Sequence, residues 1–457
     1  MILGQILENL CEFAPKFLVG VSEKCDSARR FLDSLRSLGM TELSSDLKGR
    51  CHVPKNYTAV VAGHICLDVI PRMAGSFPGG VETMFLPGRL LEVGPATFST
   101  GGAVSNTGLA LNKLGIQTQL MGKVGDDLFG QAVRQIVGSY GPHLADGMVV
   151  DETTDTSYTI IINPPGVDRM FLHCPGANDT FGVEDVRYDL VSEARLFHFG
   201  YPPVMRLMFE NNGAQLADVF RRAKETGVTT SLDMALPDPA SAGGRADWVA
   251  ILRATLPHVD IFLPSIEEIL YMLRRATYDA LCQTANGPNF LPQVTPGLLS
   301  DLGHELLKMG VKVACLKLGD RGLYVRTADE TAIKSLGRAR PSNPAAWAEK
   351  ELWGPCFEAD VVGTTGAGDA TIAGFLAALL RDMSPEAALT ASVAVGACNV
   401  EAADALSGIR PWDETMRRVV SGWARHELAL EAPGWHLDAE HQLWTAEDAA
   451  VRALGTC

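Results

Sequence analysis

From Tyr57 onward, short apolar runs of β-propensity alternate with stretches of helical spacing, and few architectures accept that order. The first run is Thr58-Ala59-Val60-Val61-Ala62-Gly63; others follow at 118–121, 196–199, 228–232, 259–263, 311–316 and 322–326. Helical runs between most of them predict an α/β fold: a three-layer α/β/α sandwich whose largely parallel sheet is covered on both faces. Ligands of such a sheet lie at the C-terminal ends of its strands.

Two regions break the alternation. Residues 71–100 are rich in Gly and Pro, with short apolar pieces such as 89–93. Residues 157–162 and 169–173 flank Asn163-Pro164-Pro165-Gly166-Val167-Asp168, a hairpin with a long turn. No helix separates these pieces, so about 71–100 and 155–178 are assigned to a separate small sheet. Arg169 is taken as a solvated strand residue. Residues 1–56 carry helical spacing at Ile6, Leu10, Phe13 and Phe17, and again at Phe31, Leu32, Leu35 and Leu38. They are expected to form a helical extension to a domain spanning 57–410, with 411–457 as a helical appendage. The longer stretches 274–300 and 327–359 are expected to be insertions.

Composition removes several partners. The 39 basic against 54 acidic residues give a net charge of −15 with no dense Lys/Arg block, which argues against nucleic acid or an anionic membrane. Any phosphate must be gripped locally. The ten cysteines show no C-x-x-C pair, as expected of reduced thiols in a cytoplasmic protein. The first residues lack a basic region and carry Glu8 and Glu12, unlike a signal peptide. The apolar stretch 372–400 is broken by Arg381, Asp382, Pro385 and Glu386, so it is expected to form two buried helices rather than a membrane span.

The chemistry concentrates in Gly363-Thr364-Thr365-Gly366-Ala367-Gly368-Asp369, which runs into an alanine-rich apolar helix. Unpaired N–H groups at a helix start make an anion site. A carboxylate there has two readings: an N-cap, or a base for an attacking hydroxyl. Earlier, Gly101-Gly102 opens a helix carrying Asn106, and residues 122–130 form another glycine-marked loop in which Asp126 and Asp127 suit capping as well as ligand contact. Ser265-Ile266-Glu267-Glu268 has the form of a capping box.

Taken in order, residues 101–130 and 363–369 resemble the N- and C-terminal signatures of the PfkB, or ribokinase-like, carbohydrate kinase family. Asp68, the hairpin pieces and Leu316-Lys317-Leu318-Gly319-Asp320-Arg321-Gly322 fall where that family has matching features. The resemblance covers about 57–410 and implies a ribokinase-like sandwich with a small β-sheet lid. It implies phosphoryl transfer from ATP, with Mg²⁺, to a hydroxymethyl of a sugar. Asp369 then takes the place of the general base, and the N–H groups of Gly366, Ala367 and Gly368 that of the anion hole. Asp68, Gly101, Gly102 and Asn106 match positions that hold substrate hydroxyls. On the ATP side, Ser265, Lys317, Gly319 and Gly322 match nucleotide contacts, and Glu268 the acidic residue that organises Mg²⁺. Three positions depart from the pattern, the first being Lys317, which stands where a small hydroxyl residue is common in the family. Ser265 replaces an Asn, and Gly363 replaces an Asp that helps hold a monovalent cation in relatives, so the resemblance does not carry that cation over. A nucleoside kinase of the same family and a non-catalytic sugar-binding regulator stay open as alternatives, and so does a homodimer.

Overall fold

The computed structural model describes residues 58–73, 86–88, 90–164, 169–430 and 432–447. The helical extension expected over 1–56 lies outside the described residues. The described strands are β1 (Ala59–Gly63), β2 (Cys66–Pro71), β3 (Ala96–Gly101), β4 (Thr118–Met121), β5 (Lys123–Gly125), β6 (Val149–Asp151), β7 (Tyr158–Ile162), β8 (Met170–Cys174), β9 (Leu196–Gly200), β10 (Thr229–Leu232), β11 (Ile261–Phe262), β12 (Val313–Lys317), β13 (Leu323–Thr327), β14 (Glu351–Gly354), β15 (Trp435–Asp438) and β16 (Leu443–Ala446).

Ten of them form one sheet in the order β15-β16-β14-β13-β12-β11-β10-β9-β1-β4. From β4 to β12 every pairing is parallel; beyond β12 every pairing is antiparallel. Strand pleat explains how both faces are filled. Ala59 and Val61 point into one core with the helices Ala103–Lys113, Ala367–Leu380 and Pro385–Asn399. Val60 and Ala62 point into the other, with the helices Ala214–Glu225, Trp248–Thr255 and Pro296–Lys308. In that second core Phe197, Phe199 and Phe220 are fully buried with ring centroids 6.0 to 6.5 Å apart. Each such ring contributes about 1.5–3 kcal/mol by leaving water.

The small sheet has the order β3-β2-β7-β8. Its register puts Ser99, Asp68, Thr159 and His173 in one row, and Phe98, Val69, Ile160 and Leu172 in the next, on the opposite face. Asn178 ties this sheet to the large one: its side-chain oxygen accepts from Ile65 N–H at 3.2 Å and its amide donates to Ile65 C=O at 2.9 Å. The side chain thereby replaces a missing strand neighbour in the link between β1 and β2.

Several expectations are corrected. Residues 90–95 have no regular structure, so the apolar piece at 89–93 supplies no strand there; β2 and β3 supply the sheet instead. Asp68 lies inside β2. The stretch 327–359 contributes β14 to the main sheet, and 274–300 contains the helix Arg275–Ala285. The appendage expected to be helical is one helix, Trp412–Val420, followed by β15 and β16, which extend the large sheet beside β14.

Candidate active site

The helix Ala367–Leu380 begins at Gly366, whose φ of 71° is left-handed and whose added Cβ would lie 2.5 Å from the Ala405 side chain, so no other residue fits. Ala367 N–H donates to Thr364 C=O at 3.2 Å, which closes the turn and corrects the expectation that this group serves an anion. The N–H groups of Gly366 and Gly368 have no partner among the described residues. Asp369 sits in the first turn and is 3 % exposed. Its side chain is not the helix cap.

Three donors converge on that carboxylate. Asn106 Nδ2 reaches Oδ2 at 3.1 Å, Thr107 Oγ1 reaches Oδ1 at 3.2 Å, and the Tyr201 hydroxyl reaches Oδ2 at 2.8 Å. Asn106 and Thr107 come from the first two turns of Ala103–Lys113, and Tyr201 directly follows β9, so strand ends and a helix start meet here as the fold requires. Tyr201 holds a left-handed φ of 65°, a costly conformation for a bulky residue. Burial raises the Asp369 pKa above the usual carboxylate value, while Tyr201, Lys317, Asn106 and Thr107 act against the rise.

On one side of Asp369 lie the residues expected to hold an acceptor. An added Cβ on Gly101 would stand 2.4 Å from Asp68 Oδ2, and one on Gly102 would stand 2.5 Å from His64 Nδ1; both glycines are the space these side chains occupy. Burial pushes Asp68 up to about 6, opposed by the Cys66 thiol, which donates to Oδ1 at 3.3 Å. Buried His64 is held neutral, its pKa lowered to about 3 by burial and by nearby His173. Both its ring nitrogens and Asn106 Oδ1 lack partners among the described residues. His173 lies 5.3 Å from His64 by ring centroid, and its Nδ1 is 3.0 Å from Thr159 Oγ1.

On the other side, Lys317 at the end of β12 donates to Asp233 Oδ1 at 2.6 Å, just beyond β10. Burial opposes the Lys317 charge, but Asp233, Glu268 and Asp369 outweigh it and hold its pKa above the ordinary value. Ser265 bridges to Lys317 across the strand ends. Ser265 and Glu268 do form a capping box: Glu268 N–H donates to Ser265 Oγ at 3.2 Å, and Ser265 N–H to Glu268 Oε2 at 2.6 Å. A cavity of about 340 Å³ opens here. Lys317, Gly319, Gly322, Thr364 and Gly368 line one part of it, and Phe357, Val393, Ala397 and Val400 give it an apolar wall. No group of three or more His, Cys, Asp or Glu able to hold a metal occurs among the described residues.

Arg169 is not a merely solvated strand residue: its Nη2 donates to Thr364 Oγ1 at 3.3 Å, joining the small sheet to the 363–369 turn. Asp127 caps its helix by accepting from Gly130 N–H at 2.7 Å. Gly363 packs with its would-be Cβ 3.0 Å from Ala402 C=O and the Ala403 backbone, so a carboxylate there would need that neighbour to move. Sequence reasoning missed Tyr201, Thr107, His64, His173 and Asp233. For Asp233 a signal existed, a carboxylate immediately after a buried strand, and for His64 likewise, a polar residue between Gly63 and Asp68.

Solved structures share this architecture. Ribokinase from Thermotoga maritima aligns over 80% of this chain and 99% of its own with a TM-score of 0.56 and 19% identity. Arabidopsis thaliana ribokinase, solved with ribose and ATP, aligns over 79% and 98% with a TM-score of 0.57 and 18% identity. The fold is therefore ribokinase-like. The pfkB family carbohydrate kinase model matches residues 58–412, and the chain belongs to that family. It is a carbohydrate kinase, an ATP-dependent phosphotransferase with an alcohol group as acceptor. Among sequence relatives, the probable chloroplastic fructokinase-6 of Arabidopsis thaliana is 25% identical across 74% of this chain and 76% of its own. Fructokinase-2 of Oryza sativa subsp. japonica is 25% identical across 70% and 80%. No described helix is long and apolar enough to cross a membrane.

Proposed function

We propose that the protein transfers the γ-phosphoryl group of ATP to a hydroxymethyl group of a sugar, with Asp369 as the general base. One observation carries this reading: a buried carboxylate with three side-chain donors lies between the Asp68–Asn106 region and the cavity beside Gly368. Asp369 takes the hydroxyl proton as the acceptor oxygen bonds to the γ-phosphorus and the bond from that phosphorus to the β–γ bridging oxygen breaks, releasing ADP; its raised pKa suits that exchange. The N–H groups of Gly366 and Gly368 receive the transferring phosphate at the positive end of the helix. Lys317 adds charge from below, and Arg169 supplies a second cation from the lid beside Thr364. Mg²⁺ carried in with ATP would offset the charge on the phosphates, and Glu268 would be the carboxylate on that side of the site.

Asp68 and Asn106 hold the acceptor by accepting from and donating to its hydroxyls. The unpartnered nitrogens of His64 and the free Asn106 Oδ1 support a polar ligand at this place, since a buried imidazole costs free energy until paired. The fructokinase names of the relatives make fructose the first acceptor to assay. The six described cysteines are free, in keeping with a reducing compartment such as the cytoplasm.

The test is Asp369→Asn, assayed as sugar-dependent ADP formation. Loss of about 10²–10⁴ in kcat is expected for removal of a general base. Unchanged circular dichroism and melting would show the fold intact, and near-normal turnover by this variant would remove Asp369 from the role.

A further inference from the structure

The family match stops at residue 412, yet the chain beyond it reaches the cavity beside Gly368. Residues 423–426 run antiparallel to the cavity wall at 355–358. Four hydrogen bonds join the two: His426 N–H to Cys356 C=O at 2.9 Å, Glu358 N–H to Ala424 C=O at 2.9 Å, Trp423 Nε1 to Glu358 C=O at 2.6 Å, and Arg425 Nη1 to Pro355 C=O at 3.0 Å. Between the backbones, Phe357 stacks on Trp423 with ring centroids 4.6 Å apart and planes 21° apart. The Arg425 guanidinium lies 4.3 Å over the same Phe357 ring. Farther along, β16 pairs with β14, which leads straight into this wall. Phe357 and exposed His426 both line the cavity.

We infer that the strap 423–426 is part of the nucleotide site: it fixes Phe357 as the apolar wall for the nucleoside and presents His426 to it. The inference rests on the phosphotransfer reading above. If Gly368, Thr364 and Lys317 take the phosphates, the nucleoside must lie along the remaining lining, which is the apolar part containing Phe357. That wall has little regular structure of its own, only a single bridge to Arg425, so its position depends on the strap. Trp423 and Arg425 act as positioning residues through Phe357, and His426 is a direct contact.

Calorimetric titration of the full chain with ADP in the presence of Mg²⁺ tests this, with wild type, Trp423→Ala, Trp423→Phe and His426→Ala compared. Losing one aromatic stack predicts an ADP Kd about three- to tenfold weaker in Trp423→Ala, restored in Trp423→Phe. His426→Ala should also weaken ADP, and because His426 is exposed that variant keeps the test decisive if Trp423→Ala fails to fold. Acceptor KM should stay at the wild-type value while KM for ATP rises. An unchanged ADP Kd in both Trp423→Ala and His426→Ala, with wild type binding ADP, overturns the strap's role alone. No ADP binding by wild type overturns the phosphotransfer reading and the inference with it.

Discussion

At the scale of single residues, the site is governed by how a buried carboxylate is kept usable. Asp369 is almost wholly out of water, which favours its neutral form, and its three hydrogen bonds favour the charged one. Tyr201 makes the shortest of these and holds a left-handed backbone to do so. In Tyr201→Phe the ring remains and one donor to the ionised group is lost, so the Asp369 pKa rises further. A base works only when deprotonated, so the acidic limb of kcat against pH should move to higher pH. The rate at neutral pH should fall about tenfold, as expected for loss of a charge-assisted bond. A pH profile that does not move would leave Tyr201 with only a packing role. Asp369 itself was legible in the sequence because a glycine turn and a helix announce it. Tyr201 was not, since its position depends on a backbone conformation that no side-chain pattern encodes.

Among elements, the link between β1 and β2 decides whether the acceptor side is in place. It carries His64 and leads to Asp68, and Asn178 holds it from 113 residues away through Ile65. Asn178→Ala leaves a buried N–H and a buried C=O of Ile65 unsatisfied. The expected loss is about 2–6 kcal/mol of stability, at roughly 1–3 kcal/mol for each of the two orphaned groups. Urea unfolding would measure it, and a midpoint within error of wild type would mean that water replaces the amide. The parallel strands were legible from their apolar runs, and the helix starts from glycine and cap residues. The tail was not: β15 and β16 are four residues each, with all but Leu443 at least partly exposed, and they become strands because β14 offers them an edge. The same tertiary pairing creates the strap beside Phe357. A local pattern cannot reveal an element whose stability comes from a partner far along the chain.

For the whole molecule, the small sheet raises the question of what covers its outer face. The row Ser99, Asp68, Thr159 and His173 faces inward, so the adjoining row Phe98, Val69, Ile160 and Leu172 faces away from the site. Phe98 is 55 % and Leu172 is 52 % exposed, at the two ends of a wholly apolar row whose Val69 packs against the core. A contiguous apolar row on a sheet is more than scattered surface hydrophobicity, and it suits burial against a partner. The occupant we expect is a second copy of the same sheet, because an isologous pairing satisfies both rows at once. A stable dimer would bury about 800 Å² on each partner, which a four-stranded face with its flanking loops can supply. Phe98→Glu with Leu172→Glu places four like charges across such a two-fold interface. Light scattering coupled to size exclusion should then report a dimer for wild type and a monomer for the double variant. Because Asp68 lies on the strand next to Phe98, the monomer should also show a raised acceptor KM with its ADP affinity retained. A wild type that is monomeric at micromolar concentration would leave this face to another partner.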